Sequence, residues 1–359
     1  MNGSSSDLKF KMYSAATEFY EAMLQDIGSA KKYVYLEYYR FRNDSVGEVF
    51  RNLLTEKQLA GVKVRMLIDA WAAASDEDFF RELIRAGGEV KFFKKFRLSW
   101  AGFTRGHRRN HRKIIVVDDQ VTYIGSANIV DYAMNWRESV FRIEGPIAKK
   151  FKKIVELNFK IFTKYFYNKR AFTRSFAYDQ LVILRDVPSN IFKSTKRQLL
   201  KLIRGAKDQI FMETPYFLPP FTLRKALSNA AKRGIKVNII IPKKSDVGLI
   251  DLLNSRYVGL LARQGVNFFY YLPQNLHSKI FMADNKTFLI GSANIDYRSF
   301  RHSHEIGLAG RHGDLVLQLQ DHFNETMKNT EPFDYKKWSE RSPLQKFFES
   351  LMMPFRSFF

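Results

Sequence analysis

Residues 110–129 read NHRKIIVVDDQVTYIGSANI, and residues 276–295 read LHSKIFMADNKTFLIGSANI. Both stretches fit the pattern H-x-K-x4-D-x6-G-S-x-N, and each matched position in the second lies 166 residues after its counterpart in the first. Self-similarity in register over a whole motif indicates an internal duplication. The chain therefore reads as two related halves, each with one copy of the motif.

The sequence before each motif repeats as well. Residues 30–69 and 206–242 each give a β-rich run, a helix with apolar spacing that ends at a glycine (Gly61, Gly234), and a second apolar strand. We expect an α/β fold of two similar halves, each a mixed β-sheet flanked by helices, with the active site at the pseudo-twofold interface. The expected division is a disordered lead (1–14), a first half (15–170), a second half (171–330) and a C-terminal amphipathic tail (331–359).

Each motif itself is predicted to be a β-hairpin. KIIVV and KIFMA have the composition of buried strands, DDQ and DNKT that of turns, and VTYIG and TFLIG that of return strands. Residues i and i+2 of a strand share a face, so His111 lies beside Lys113 and His277 beside Lys279. The serine and asparagine that follow the return strand then reach the same end of the hairpin.

Such clusters suit a phosphate. An ammonium, a hydroxyl and an amide donate hydrogen bonds to phosphate oxygens, and two facing clusters would surround a phosphodiester. A lone strand histidine is usually structural, and an aspartate in a hairpin turn commonly serves the turn. The doubled pattern argues against that interpretation for the histidines and lysines. Asp118 and Asp284 are included among the candidate catalytic residues, although for them both interpretations stay open. The candidate phosphate-binding residues are Ser126, Asn128, Ser292 and Asn294.

Composition narrows the class of partner. The 359 residues contain 59 Lys and Arg against 36 Asp and Glu, a net charge of +23, together with 33 Phe and 17 Tyr. This excess requires an anionic partner, and net charge alone does not separate a polyphosphate backbone from anionic lipid headgroups. The chain has no cysteine, which excludes disulfide scaffolds, Cys-ligated metals and thiol catalysis.

Membrane attachment is expected to be peripheral. No apolar run approaches the ~18 residues of a spanning helix, so we predict no transmembrane segment and a short, peripheral form. Near the C-terminus, five apolar residues at helical spacing define one face. Either an amphipathic membrane anchor or a helix that closes the core fits this pattern. The face consists of Leu344, Phe347, Phe348, Leu351 and Met352.

On these residues the sequence resembles the phospholipase D superfamily, whose hallmark is two H-x-K-x4-D motifs in one chain, and more narrowly the bacterial cardiolipin synthases. Further stretches carry the narrower resemblance, which extends from about residue 15 to the C-terminus. They are LEYYRF (36–41) followed by Asp44, NWRESVFRIEGP (135–146), ETPYFLP (213–219) and SANIDYRSF (292–300) ending in Glu305.

The resemblance implies a ping-pong exchange of phosphodiesters with no metal and no cofactor. It favours His111 as the nucleophile and His277 as the acid, with the lysines, asparagines and serines of the motifs stabilising the phosphate oxygens. Glu138, 27 residues after His111, and Glu305, 28 after His277, resemble the carboxylates that orient the histidines. One departure is Ser303, which stands where the family has asparagine in R-S-F-x-x-N-x-E.

The leading functional expectation is a cardiolipin synthase-type phosphatidyltransferase that makes cardiolipin and glycerol from two molecules of phosphatidylglycerol. The alternatives are a phospholipase D that hydrolyses phospholipids to phosphatidic acid and a nuclease-like phosphodiesterase. A non-catalytic lipid scaffold is disfavoured because both motifs keep their histidine and lysine. We expect an anionic phospholipid substrate, no obligate nucleic acid and a peripheral position on the cytoplasmic side of a bacterial membrane; the sequence sets no oligomeric state.

Overall fold

The computed structural model of the chain describes residues 7–93, 108–162, 175–189, 191 and 193–354. Its architecture is α/β, with two sheets that both mix parallel and antiparallel strands, as the sequence predicts. The helices are α1 (Ala16–Ser29), α2 (Ser45–Leu59), α3 (Arg81–Arg85), α4 (Ala148–Phe159), α5 (Ser194–Gly205), α6 (Phe221–Lys232), α7 (Gly248–Ala262), α8 (Tyr297–Arg301), α9 (Gly313–Met327), α10 (Tyr335–Ser339) and α11 (Pro343–Met352).

The first sheet has seven strands in the order β1-β8-β7-β6-β2-β3-β4. The strands β2, β3 and β4 run parallel, and the motif hairpin β6–β7 joins them antiparallel through β2. The bounds are β1 (Lys9–Tyr13), β2 (Tyr33–Tyr38), β3 (Lys63–Asp69), β4 (Glu89–Phe93), β6 (Ile114–Val117), β7 (Val121–Gly125) and β8 (Val140–Glu144).

The second sheet repeats this arrangement in the order β17-β13-β12-β11-β14-β15-β16-β10-β9, and β5 pairs with β16 from outside that path. Its motif hairpin, β14–β15, joins the parallel strands through β11. The bounds are β5 (Arg109–Asn110), β9 (Phe176–Tyr178), β10 (Leu181–Asp186), β11 (Gln209–Glu213), β12 (Lys236–Pro242), β13 (Asn267–Tyr271), β14 (Ile280–Ala283), β15 (Thr287–Gly291), β16 (Ser303–Gly310) and β17 (Thr330–Pro332).

Both predicted motif hairpins are confirmed. Asp118 and Asp119 have φ of 51° and 59°, and Asp284 and Asn285 have φ of 55° and 49°. Positive φ at both central residues is the type I′ geometry, whose twist matches that of the flanking strands, and Asp and Asn tolerate it better than other side chains. The turn chemistry of DD and DN therefore closes the hairpins.

A common core joins the two sheets. Helices α4 and α9 contribute buried side chains such as Phe151, Ile154 and Leu319 to one apolar cluster that includes strand residues of both halves. Each half also has a separate cluster, under α1 and α2 in the first half and under α5, α6 and α7 in the second. The shared cluster includes residues of both motif hairpins, such as Ile124 and Ile290.

The expected disordered lead is wrong for the part of it that the structure describes. Residues 9–13 form strand β1, which pairs antiparallel with β8, and Leu8 is buried. The backbone N–H of Met12 also donates to Gln318 Oε1 of α9 at 2.8 Å. The apolar residues Leu8 and Phe10 give this short strand a buried face, a signal that the serine-rich start of the chain obscures.

The C-terminal tail docks on the second half by its polar side. Glu349 of α11 is 1% exposed, and its carboxylate accepts hydrogen bonds from Arg341 at 2.9 Å and from Ser255 of α7 at 3.1 Å. Phe347 and Phe348 are 60% and 46% exposed. Four of the five residues of the predicted apolar face therefore point outward and do not close the core. The fifth, Met352, packs partly against the apolar cluster of the second half.

No helix in the described part of the chain is long and apolar enough to cross a bilayer.

Candidate active site

The strand pairing across the two halves brings the motif histidines to one cleft. Just before His111, β5 runs parallel to the start of β16, and the N–H of His111 donates to the carbonyl of His304 at 3.0 Å. Just before His277, Leu276 bridges in parallel to Arg137, whose carbonyl accepts from the N–H of His277 at 2.8 Å. Each histidine is therefore held by the segment that carries the glutamate of the opposite half.

The two glutamates orient the histidines crosswise. Nδ1 of His277 lies 2.8 and 2.9 Å from the carboxylate oxygens of Glu138, and Nδ1 of His111 lies 3.1 Å from both oxygens of Glu305. Both glutamates are fully buried. A carboxylate accepts hydrogen bonds, so Nδ1 carries the proton and Nε2 of each ring is left with its lone pair for a ligand.

The protonation tendencies of the two pairs differ. Burial, followed by the ammonium groups of Lys113 and Lys279, lowers the pKa of His111 well below its ordinary value. Burial also lowers the pKa of His277, but Glu138 opposes that effect. The first pair thus favours a neutral imidazole, and the second holds a proton more readily.

The glutamates differ in the same direction as their histidines. Burial opposes ionisation of Glu138, yet the attraction of His277 and Lys279 outweighs it and lowers the pKa of this carboxyl. Burial raises the pKa of Glu305, and the ammonium of Lys113 only partly offsets it. Glu138 is accordingly the more strongly ionised of the two buried carboxyls.

The two motif lysines are buried beside their histidines. Nζ of Lys113 donates to the carbonyl of His111 at 2.8 Å, and Nζ of Lys279 donates to the carbonyl of His277 at 2.7 Å. Burial lowers the pKa of Lys113 well below its ordinary value, and lowers that of Lys279 to about 8. An ammonium has three donors, so each lysine keeps two for an anion, and an anion between them would favour their charged forms.

The motif serines do not line the cleft, which corrects their expected role in phosphate binding. The hydroxyl of Ser126 donates to Glu138 at 2.5 Å, and that of Ser292 donates to Glu305 at 2.5 Å. Both serines are fully buried. Their hydroxyls instead fix the carboxylates that orient the histidines.

The glycine before each serine allows this close approach. Gly291, for example, has φ of +151°, and a Cβ at this position would lie 2.2 Å from the carbonyl oxygen of Ile306. The same relation holds between Gly125 and Ser139. A side chain at either glycine would push the return strand from its neighbour and move the serine away from its glutamate.

Asn128 and Asn294, by contrast, do line the cleft with the two histidines. Oδ1 of Asn294 is buried and has no hydrogen-bond partner among the residues that the structure describes. Ser303, the residue that departs from the family pattern, also lines the cleft. The asparagines therefore stay candidates for binding phosphate oxygens.

The motif aspartates lie away from the cleft, which corrects their inclusion among the catalytic residues. Asp118 accepts from the backbone N–H groups of residues 31–33 at 2.5 to 2.8 Å, and Asp284 accepts from those of residues 207–209 at 2.9 to 3.1 Å. They tie each hairpin turn to the start of the adjacent parallel strand. The four residues between the lysine and the aspartate span the strand, which puts the two ends of the motif at opposite ends of the hairpin.

Sequence reasoning missed the aromatic residues around the histidines. The ring of Tyr39 lies 4.7 Å from that of His111, and the ring of Trp136 lies 5.4 Å from that of His277, both edge to face. Tyr39 sits in LEYYRF and Trp136 in NWRES, two stretches that resemble the family, but neither follows a repeat shared by the halves.

A buried arginine within the first motif was also missed. Arg112, between His111 and Lys113, donates to Glu37 at 3.2 Å and to the carbonyls of Asp186 and Glu305 in the second half. Position 278 of the second motif is a serine. A charge inserted into only one copy of a repeat is the signal that could have indicated a contact between the halves.

No group of three or more histidine, aspartate and glutamate side chains in the described ranges could hold a metal ion.

Comparisons with known proteins agree with this geometry. The family model "Cardiolipin synthase, PLD-like domain" matches residues 23–160 and 199–327. Cardiolipin synthase 1 of Staphylococcus epidermidis is 31% identical over 96% of this chain and 72% of its own length. A cardiolipin synthase of Listeria welshimeri is 28% identical over 96% of this chain and 74% of its own.

Among solved structures, phosphatidylserine synthase of Haemophilus influenzae superimposes with a TM-score of 0.79 at 15% identity, covering 100% of this chain and 97% of that one. At this identity the likeness shows the fold. The family model, which matches both halves, and the relative that is 31% identical establish that the chain belongs to the cardiolipin synthase family of phospholipase D-like proteins.

Proposed function

We propose that this member of the cardiolipin synthase family is a phosphatidyltransferase that converts two molecules of phosphatidylglycerol into cardiolipin and glycerol. The single observation that supports this proposal most strongly is the crossed pair His111–Glu305 and His277–Glu138 at one cleft. Two oriented imidazoles can share the two half-reactions of an exchange, one as nucleophile and one as proton carrier.

In the first half-reaction, Nε2 of His111 attacks the phosphorus, and the bond from phosphorus to the glycerol oxygen breaks. His277 gives its proton to that oxygen, so that glycerol leaves and a phosphatidyl group stays on His111. The neutral state that burial favours for His111 suits the nucleophile, and the proton that Glu138 helps to hold on His277 suits the acid. A bound anionic phosphodiester adds negative charge and favours the protonated form of His277.

In the second half-reaction, a hydroxyl of another phosphatidylglycerol attacks the phosphorus as His277 takes its proton. The bond from phosphorus to His111 then breaks, and cardiolipin leaves. Lys113 and Lys279 stabilise the phosphate oxygens in both steps, together with Asn128 and Asn294. Most of the catalysis of phosphoryl transfer comes from such fixed charges and donors.

The proposed membrane contact is peripheral and uses helix α11. Its outward residues, such as Phe347 and Phe348, form an apolar face beside a chain of net charge +23. Each basic residue near an anionic bilayer contributes about 1 kcal/mol of binding free energy. Together with aromatic residues inserted at the interface, such residues suffice to attach the protein to the membrane. We expect Phe347→Asp with Phe348→Asp to abolish flotation with phosphatidylglycerol vesicles, whereas Leu59→Asp, at an exposed apolar residue of α2, does not.

The activity test incubates the purified chain with phosphatidylglycerol vesicles and resolves the products by mass spectrometry, with the double variant His111→Ala/His277→Ala as control. Cardiolipin with free glycerol supports the transferase. Phosphatidic acid without cardiolipin would contradict it and indicate a hydrolase. Absence of lipid turnover together with cleavage of DNA would indicate a nuclease.

A further inference from the structure

The walls of the cleft differ in chemistry beyond the two motifs. Arg298 lies on the side of His111, because its charge contributes to the lowered pKa of that histidine. On the side of His277 lies a group of basic, aromatic and acidic residues. Its acidic member, Asp246, acts to raise the pKa of His277. We name this second group the alcohol wall, and it consists of Arg40, Tyr132, Tyr216 and Asp246.

Contacts join the alcohol wall to His277. Arg40 donates through Nη1 to the hydroxyl of Tyr132 at 2.6 Å, and the ring of Tyr132 lies 5.4 Å from that of Trp136. The guanidinium of Arg40 also lies 5.7 Å from the centre of the Tyr39 ring, so Arg40 reaches from the side of His277 towards that of His111. Trp136 in turn meets the ring of His277 edge to face. The backbone N–H of Arg40 also donates to Asn128 Oδ1 at 3.3 Å, which fixes the start of the side chain beside the phosphate site.

Asp246 is an unexpected residue in a cleft built for anions. Its carboxylate is exposed, and Oδ1 accepts a hydrogen bond from the hydroxyl of Tyr216 at 2.5 Å. A negative charge here repels a phosphate, so it reduces affinity unless it meets a donor on the substrate. The hydroxyl groups of a polyol headgroup are such donors, since a carboxylate has several acceptor positions.

Arg40 supplies the charge that an anionic acceptor requires. In the proposed reaction Lys113 and Lys279 neutralise the phosphate of the donor lipid, which stays bound to the enzyme during the second half-reaction. The acceptor has a phosphate of its own, one glycerol unit away from the attacking hydroxyl. The guanidinium of Arg40 has five N–H donors, and its bond to Tyr132 leaves others for this second phosphate.

We propose that the alcohol wall is the subsite for the phosphoglycerol headgroup of the acceptor lipid. Asp246, fixed by Tyr216, accepts from the free glycerol hydroxyl, and Arg40, fixed by Tyr132, binds the acceptor phosphate. This inference rests on the proposed transferase function and specifies which alcohol it selects. Water and simple alcohols make neither contact, so the subsite favours transfer to a phospholipid over hydrolysis.

The test measures how the phosphatidyl group is partitioned. Purified variants are incubated with phosphatidylglycerol vesicles in buffer containing ethanol, and four products are quantified: glycerol, cardiolipin, phosphatidylethanol and phosphatidic acid. Released glycerol reports the first half-reaction, and the other three report the acceptor. Arg40→Gln should lower the ratio of cardiolipin to phosphatidylethanol at least about tenfold while glycerol is still released, and Asp246→Ala should lower it by a smaller factor.

Two further variants give the comparison its control. Arg298→Gln removes a guanidinium from the opposite wall and should lower all products together, without a change in their ratio. Arg40→Lys should restore part of the ratio that Arg40→Gln loses, because it returns the charge without the planar donor geometry. Circular dichroism melting curves identify any variant whose loss of activity comes from unfolding.

The outcomes separate this subsite from the function on which it rests. Normal release of glycerol by Arg40→Gln and Asp246→Ala with an unchanged cardiolipin ratio would overturn the subsite alone. A proportional fall of all four products in these variants would overturn it too, since that indicates a general role. Absence of glycerol release by the unaltered chain would overturn both the transferase and the subsite.

Discussion

The two halves carry the same hairpin, and yet their histidines differ in how readily they are protonated. His277 has close contacts with a carboxyl whose pKa is lowered, while His111 faces a carboxyl whose pKa is raised, at slightly greater distance. The neighbouring charges follow the same division, with arginine near His111 and aspartate near His277. The comparison teaches that the surroundings of a duplicated site can give two identical motifs different protonation tendencies, which is what the proposed division into nucleophile and acid requires.

Removal of either imidazole gives the largest expected effect and tests this division most severely. His111→Ala and His277→Ala should each lower the rate of lipid transfer at least about 10⁴-fold. The two histidines act as one catalytic unit, and the loss of one member of such a unit costs nearly as much as the loss of all of them. A lipid analogue with a nitrophenol leaving group separates the two roles, since this group leaves without an acid. We expect a burst of nitrophenol from His277→Ala and none from His111→Ala, and the reverse pattern would exchange the assignment.

Replacement of the orienting carboxylates should show unequal losses. Glu138→Gln removes the carboxyl with the lowered pKa and should reduce kcat about 100-fold, whereas Glu305→Gln should reduce it about 10-fold. Steady-state kinetics with phosphatidylglycerol vesicles provide the measurement. Equal losses in the two variants would mean that the halves are equivalent despite their different charges.

The lysines should differ in the dependence of activity on pH. Because the pKa of Lys279 lies at about 8, a rise in pH through this value removes its positive charge, and kcat/KM should fall. Lys279→Arg should shift this alkaline limb to higher pH, since arginine stays charged, at a cost of about tenfold in rate. Lys113→Arg serves as the matched variant. A shift of the alkaline limb in Lys113→Arg and not in Lys279→Arg would contradict the prediction, because it would identify Lys113 as the group that titrates.

The smallest effect on catalysis is expected at the motif aspartates. Asp118→Ala and Asp284→Ala each leave backbone N–H groups without their acceptor, so each should destabilise the fold by about 1–3 kcal/mol while kcat of the folded protein stays within about twofold. Urea unfolding and active-site titration measure the two quantities. The shorter hydrogen bonds of Asp118 predict the larger loss of stability, and a 100-fold fall in kcat would return these residues to the catalytic group.

For Asp284 the stability effect has a defined dependence on pH. Burial raises the pKa of this carboxyl, but the backbone N–H groups of Asp208, Gln209 and Lys207 outweigh burial and lower the pKa in the folded state. Its contribution is therefore present above the unfolded pKa and is lost as the pH falls through the folded pKa. The difference in unfolding free energy between Asp284→Ala and the unaltered chain should shrink on acidification below about pH 4.

Much of the fold followed from local patterns. The hairpins could be predicted because a run of apolar residues and a pair of turn residues fix them without distant contacts, and the strand bounds at Ile114–Val117 and Ile280–Ala283 agree with the patterns. The first strand was missed because its short alternation of apolar and basic residues follows a serine-rich start, and its stability comes from pairing with β8. A pattern in sequence cannot report that kind of partner.

The candidate site was predictable to the level of its residues, but not of their connections. Glu138 and Glu305 were identified through the resemblance to the family, and nothing in their distance of 27 or 28 residues from the preceding histidine indicates that each glutamate contacts the histidine of the opposite half. The serines were assigned to phosphate on chemical grounds, since a hydroxyl can donate to a phosphate or to a carboxylate. Only the position of Ser126 and Ser292 on the buried side of the cleft decides between these acceptors.

The exchange of glutamates between the halves has a consequence for how such a chain can change. A substitution near Glu305 alters the proton on His111, 194 positions away along the chain, so neither half can be replaced by an unrelated copy without mismatching both dyads. Substitutions in one half therefore constrain those that the other half can accept. A fragment containing either half alone would present an imidazole that lacks its carboxylate.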